Sequence, residues 1–355
     1  MFKARERSII RTFWNFFTAL ILTSSITIAS ASAAGTTSAN FLKIAPGARP
    51  AAFGEAYTSI ANDASAVYWN SAGLANLKQK EFILSHNVWF QDIQHSFVAF
   101  AVPFTSSLSR YPSNKCIGIS ATYLNAGDME RRDATGSLSG DSFTASDLSI
   151  SCAYGRNLKQ AIGYPLSAGI AIKFIKQSIA EYSANSVAFD AGLMYPFKAV
   201  GMPFNFGLAV LNVGTPITFI RESYPLPLTY KAGISFAPLA KSLALPMLVS
   251  FDASFPNDGD MSWRIGTEFS AGSVLQLRAG YMNQDTLTRS ALTGGKIGLT
   301  DNSAVTRLTG LMAGFGINIP MNRFSGPGSM LNLDYAFVPY GELGNTHRIS
   351  MGVKW

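Results

Sequence analysis

From residue 81 to the C-terminus the chain repeats one pattern, in which large apolar side chains alternate with small, polar or charged ones. Successive side chains of a strand point to opposite faces, so a period of two marks strands with one apolar face. The apolar phase is clear in Leu166, Ala168, Ile170, Ile172 and Phe174, and again in Val187, Phe189, Ala191, Leu193 and Tyr195. The opposite phase carries Lys173, Asp190, Lys231, Asp252, Arg264, Glu268, Arg278, Asp334, Arg348 and Lys354. The pattern divides into about fourteen segments: 81–89, 94–104, 115–125, 145–155, 165–176, 185–197, 203–212, 227–237, 246–256, 261–271, 273–283, 307–319, 329–338 and 346–355. Segments of about ten residues match a tilted strand that crosses a bilayer, whereas sandwich strands are nearer five or six. An all-β fold follows: a transmembrane antiparallel β-barrel of about fourteen strands, apolar outside, with those charges facing a wet lumen.

The two ends of the chain support that reading. In the last segment Ile349, Met351, Val353 and Trp355 alternate with Arg348, Ser350, Gly352 and Lys354. Such a strand closes a barrel and leaves its terminal aromatic at the membrane interface. At the other end, Lys3, Arg5, Arg7 and Arg11 precede an apolar run from Phe13 to Ile28 and the small residues Ala29 to Ala34. That is the layout of a secretory signal peptide, expected over 1–33 with cleavage near Ala33. The net charge is +7, of which +3 lies in the first eleven residues, so the remainder gives no reason to invoke nucleic acid. Charged residues make up 14% of the chain, well under the usual share of about a quarter. A secreted chain this poor in charge, with no later spanning helix, has lipid as the natural cover for its apolar surface. Cys116 falls in the polar phase of its strand and Cys152 in the apolar phase of the next, so both are expected to stay unpaired.

The connections Asn125–Thr144 and Asn283–Thr306 are polar and are expected to be long extracellular loops, whereas Ala271–Ser273 and Pro256–Asp260 are short. Residues 34–80 lack the alternation. Pro46-Gly47-Ala48-Arg49-Pro50 reads as a turn, and Ala51–Ala61 and Asp63–Trp69 as short helices with Asp63 as an N-cap. The segment is too small to fold alone and is expected to plug the lumen as a hatch. Its gating candidates are Arg49, Phe53, Asp63, Tyr68, Trp69 and Asn70, with Arg49 expected to pair with a lumen carboxylate such as Asp190 or Asp334. Asp252 and Glu268 are expected to pair with Arg264 or Arg278.

Phe41-Leu42-Lys43-Ile44, Pro46-Gly47-Ala48-Arg49, Ala51-Ala52-Phe53-Gly54-Glu55-Ala56 and Asn62–Leu74 together resemble the mature N-terminus of the PorV/PorQ family. Leu333–Gly344 with Thr346-His347-Arg348-Ile349-Ser350 resembles that family's closing hairpin. The resemblance implies an outer-membrane barrel of a diderm bacterium that binds or passes exported protein cargo, as in type IX secretion. That family is related to the FadL-type transporters, fourteen-stranded barrels with an N-terminal hatch. The relationship implies, as the alternative, transport of hydrophobic small molecules; a structural or interaction barrel is the third reading. FadL-type hatches share an Asn-Pro-Ala pattern, and this chain has Asn70-Ser71-Ala72 there, without the proline.

No catalytic or metal-binding constellation is expected. His86, His95 and His347 are not spaced with other ligands as in a metal site, and Gly294-Gly295-Lys296 lacks the rest of a phosphate-binding loop. His95-Ser96 would need a third orienting group to act as a hydrolase. The expected protein is not an enzyme and uses no cofactor. Its expected partners are outer-membrane lipid, the barrel-assembly machinery, and either secreted protein substrates or a hydrophobic ligand, with no nucleic acid.

Overall fold

The computed structural model describes residues 36–89, 93–105, 114–133, 135–199, 201–238, 246–283, 310–321, 328–340 and 344–355. The expected signal peptide and nearly all of Asn283–Thr306 lie outside the described residues. Fourteen antiparallel strands close into a barrel. They are β1 (Glu81–Val88), β2 (Gln94–Thr105), β3 (Asn114–Arg132), β4 (Leu138–Asn157), β5 (Ser167–Ile179), β6 (Tyr182–Ala199) and β7 (Met202–Gly214), then β10 (Thr229–Phe236), β11 (Met247–Pro256), β12 (Ser262–Ala271), β13 (Leu275–Met282), β14 (Leu311–Pro320), β15 (Met330–Pro339) and β16 (Asn345–Lys354). A small hairpin, β8 (Ile217–Phe219) with β9 (Glu222–Tyr224), stands apart between β7 and β10.

The alternation settles which face each residue takes. Ile170, Ile172 and Phe174 point outward, and Phe189 is 55% exposed, while its neighbour Asp190 is 4% exposed inside. A wall with bare aliphatics and aromatics outside and buried ions inside is stable only with lipid against it. Closure is made by β1 and β16, in register from Glu81↔Lys354 to Val88↔His347. Trp355 extends that ladder by one residue, exchanging backbone hydrogen bonds of 3.0 and 3.1 Å with Lys80. Its ring stacks on Phe100 at 5.9 Å. Cys116 is buried, Cys152 is exposed, and both are free.

One expected loop is strand instead. Asn125–Thr144 belongs largely to β3 and β4, which run 19 and 20 residues. Their ladder continues past register shifts at Asn125/Asp128 and Glu130/Arg132. Bulges re-aim a strand without ending it. Beyond the lipid both faces of the hairpin meet water, so the hydrophobic period disappears while the backbone pairing persists. The tip is held by Asp133, whose Oδ1 accepts from the Thr135 and Ser137 backbone N–H groups at 2.8 and 3.0 Å.

The segment ahead of β1 occupies the barrel interior. Its regular parts are short: 3-10 turns at Asn40–Lys43 and Ser71–Asn76, and single helical turns at Ala48–Ala52 and Ala66–Trp69. The helix expected over Ala51–Ala61 stops at Ala52, because Gly54 and Glu55 both take positive φ, 62° and 64°. Asp63 is not an N-cap either. Its Oδ1 accepts from the Ser65 backbone N–H two residues on, at 2.9 Å, which makes an Asx turn. The N-cap position belongs to Ser65.

Small size at the inward strand positions is what lets the segment in. Along the wall, Gly155 pairs with Gly169 and Gly169 with Gly192. Gly207 pairs with Gly233, and Gly266 with Gly280. A Cβ at Gly169 would lie 2.2 Å from the Ser71 carbonyl carbon, and one at Gly280 would lie 2.0 Å from the Gly54 nitrogen. Backbone therefore rests on backbone, which only glycine permits. Phe53, Tyr57 and Trp69 are fully buried in the core that results.

Candidate functional site

The hatch and its seat on the wall form the candidate site. The hatch begins at the rim away from the C-terminus. There Thr37 donates to Asp258, and Lys43 pairs with the same carboxylate. The Ser38 backbone N–H donates to the Pro225 carbonyl at 3.0 Å, and Phe41 and Leu42 pack on Ile175, Ile217 and Leu226. It leaves at the opposite rim through Lys80 into β1.

Near that second rim Arg49 is the hub. Its guanidinium reaches Glu268 of β12 at 3.2 Å, Asp63 at 3.5 Å and the Asn62 amide oxygen at 2.8 Å. It also donates to the Tyr57 hydroxyl at 3.0 Å, and that hydroxyl donates to Asp63 at 2.6 Å. Burial raises the Asp63 carboxyl, but Arg49, Ser65 and Tyr57 outweigh it and hold the group below its ordinary value. The expected partners of Arg49, Asp190 and Asp334, are both engaged elsewhere. Arg278 spans Glu268 at 2.7 Å and Asp334 at 2.6 Å. Asp190 pairs with Lys173 at 2.8 Å and accepts the Asn212 backbone N–H. Strand spacing shows that these charges face inward but not which of them the hatch backbone separates. Together Arg49, Asp63, Glu268, Arg278, Asp334 and Lys354 line a polar cavity of about 360 Å³.

Deeper in the lumen the expected Asp252–Arg264 pair does not form. Asp252 instead accepts the Thr58 backbone N–H at 2.7 Å. Arg264 turns to Glu55 at 3.7 Å, and Arg348 approaches the same carboxylate at 3.8 Å. Lys231 lies over the Trp69 ring at 4.7 Å. Trp69 and Tyr68 meet edge to face at 5.2 Å, and the Tyr68 hydroxyl donates to the Leu42 carbonyl. Asn70 is the most completely used hatch residue. Its side chain caps the Ser71–Asn76 turn, accepting from the Ala72 backbone N–H at 3.2 Å. It also donates to the carbonyls of Thr58 and Leu193, at 2.8 and 3.2 Å.

The fold has known counterparts. The monoaromatic hydrocarbon channel CymD is 11% identical, with 88% of this chain and 97% of that one covered and a TM-score of 0.53. The Ralstonia pickettii toluene transporter TbuX is 12% identical, with 87% and 97% covered and a TM-score of 0.54. A Pseudomonas aeruginosa FadL homologue is 11% identical, with 84% and 95% covered and a TM-score of 0.45. These identities speak for the fold alone: a closed fourteen-stranded antiparallel barrel. Residues 15–223, more than half of the sequence, match the model of an uncharacterised protein family, UPF0164. The chain belongs to that family. Comparison with curated proteins finds no match.

Among the described residues no cluster of His, Cys or carboxylates has the makeup of a metal site. His95 and Ser96 take opposite faces. Ser96 instead meets His86 at 3.0 Å on the outer surface, and His347 meets the Tyr335 hydroxyl at 2.7 Å. Sequence reasoning missed Glu55, Tyr57 and the glycine seat. The seat had a signal, because glycine recurs in the polar phase of strand after strand. Glu55 had none, since its role depends on two strands far away in sequence.

Proposed function

We propose that this protein sits in the outer membrane of a diderm bacterium and passes hydrophobic small molecules through its lumen, with residues 36–80 as the gate. The observation that carries the reading is the seat itself: the lumen holds a segment that runs into the wall at β1 and is otherwise tied to it by ion pairs and hydrogen bonds. Nothing moves through the barrel unless that segment shifts, so the ties decide when passage occurs. The neighbours described as a monoaromatic hydrocarbon channel and a toluene transporter support hydrophobic solutes as the cargo class. Handling of exported protein, raised by the PorV/PorQ resemblance, is the second reading, and the terminal motifs are what favour it.

The test uses the full chain and a variant lacking residues 41–74, each in planar bilayers and in liposomes loaded for toluene uptake. The deletion removes no strand, so an inserted barrel with raised leak is expected. The parent should show low conductance and saturable toluene uptake. Unchanged low conductance in the deletion would mean that the segment does not gate. Mass spectrometry of material retained in mild detergent separates the two readings, with small apolar molecules expected and a bound polypeptide counting for secretion.

A further inference from the structure

The hatch is not held equally on all sides. At Gly155, Gly169, Gly207, Gly266 and Gly280 the wall meets hatch backbone, whereas Gly118, Gly192 and Gly314 meet hatch side chains. A Cβ at Gly118, Gly155, Gly192, Gly207, Gly266 or Gly314 would come within 3.0 Å of hatch atoms or of the wall itself. On β16 the corresponding contacts are made by side chains. Arg348 donates to the Ala45 carbonyl at 2.8 Å and to the Tyr340 hydroxyl at 2.9 Å. Ser350 accepts the Ala48 backbone N–H at 2.7 Å. The one glycine of β16, Gly352, has nothing nearer than 3.6 Å to an added Cβ.

The same wall carries a row of buried side chains with polar atoms that lack hydrogen-bond partners among the described residues. Arg348 pairs across the ladder with Asn87, and Asn87 with His95. All three point inward, and they are 1%, 2% and 2% exposed. Arg348 Nε, both amide atoms of Asn87 and His95 Nε2 have no hydrogen-bond partner among the described residues. Buried polar groups are almost always paired, because each unpaired one carries its full desolvation cost. Such atoms on three adjacent residues of one wall mark an interface that is incomplete while the hatch is shut. Below them lie the Phe97 and Tyr68 rings, 6.4 Å apart.

We propose that solute passes between hatch residues 42–48 and the β16–β1–β2 wall, where Asn87, His95 and Arg348 form a polar station for the single uncharged hydroxyl of an amphipathic aromatic or aliphatic molecule. The chemistry follows from the groups. Asn87 offers a donor and an acceptor together, which a hydroxyl satisfies at once. Arg348 is already faced by Glu55 at 3.8 Å, so the station has no uncompensated cation to reward a carboxylate. The aromatic pair beneath accommodates the apolar body. Withdrawal on this side breaks side-chain contacts, whereas withdrawal at β4, β5, β7, β12 and β13 unseats backbone from glycine. The inference rests on the proposed transport reading, but its route is testable without transport.

The route is read by hydrogen–deuterium exchange on the full chain in detergent. The amides of Ala45, Gly47 and Ala48 are expected to exchange at least tenfold faster than those of residues 70–74, although both stretches are buried. Equal or reversed rates would overturn the route, whatever the transport assay shows. The station is read in liposomes with phenol and toluene as probes, comparing the parent with an Asn87→Leu/His95→Phe variant. Phenol uptake should fall about tenfold while toluene uptake holds. An equal fall in both would signal a merely structural effect and overturn the station, as would no change in either. A parent that takes up neither probe would refute both the transport reading and the station, leaving the exchange asymmetry to decide the route alone.

Discussion

Gly169→Ala should loosen the gate without damaging the barrel. Gly169 lies on β5 between Gly155 and Gly192, with its Cα hydrogens against the hatch backbone. An added Cβ would stand 2.2 Å from the Ser71 carbonyl carbon and 2.4 Å from the Ala72 nitrogen and the Ser71 oxygen. Ordinary carbon contacts begin near about 3.5 Å, so the hatch must retreat by roughly 1.3 Å. It cannot yield by turning a side chain, because the atoms in the way are backbone. Overpacking of this kind costs about 1–3 kcal/mol, and the cost falls on the seated hatch alone. The β4–β5–β6 ladder itself tolerates alanine better than glycine. A bias of that size shifts a two-state equilibrium about 5- to 150-fold. Planar-bilayer recording should therefore show open time rising by that factor, with heat-modifiable migration on gels unchanged. Gly352→Ala is the control, since its added Cβ meets nothing closer than 3.6 Å and should leave conductance at the parent level. If Gly169→Ala stays as closed as the parent, the hatch is not seated on glycine and the account of the gate fails.

Four further outcomes follow from the same geometry. Phe189→Arg places a cation on the lipid face and should cost about 2–4 kcal/mol near the midplane, read by urea unfolding in lipid vesicles. Asp190→Asn, which alternation alone would make mild, should instead cost about 3–5 kcal/mol in the same assay, because it leaves Lys173 buried without its carboxylate at 2.8 Å. Deleting Val353–Trp355 removes the last rungs of the closing ladder and the 3.0 Å bond from Lys80, and should abolish heat-modifiable migration; normal insertion would count against β16 as the closing strand. Asp63 sits below its ordinary value, so its share of hatch stability is complete above about pH 4 and is lost as pH falls through the lowered value. Conductance should rise on going from pH 6 to pH 3, and Asp63→Asn should flatten that rise.

The alternation of residues such as Val187, Phe189 and Ala191 against Ala188 and Asp190 determined the barrel, its strand number and which side of each strand meets lipid. That is because side-chain direction in a strand depends only on the next residue along the chain. The closing strand was legible for the same reason, and so was the free state of Cys116 and Cys152. The long β3–β4 hairpin was not legible, because past the lipid a strand has no apolar face to display. The hatch could be delimited as the stretch where alternation fails, and Arg49, Asp63 and Asn70 stood out there by type. Their partners did not. Arg49 reaches Glu268 rather than Asp190 or Asp334, and Asp252 takes the Thr58 backbone rather than Arg264. Those choices belong to the tertiary structure, since they depend on the height and rotation at which a non-repeating segment settles inside the closed wall. The glycine seat and the inward row of Arg348, Asn87 and His95 come from the same source: three strands must first be brought side by side before their inward residues share a surface.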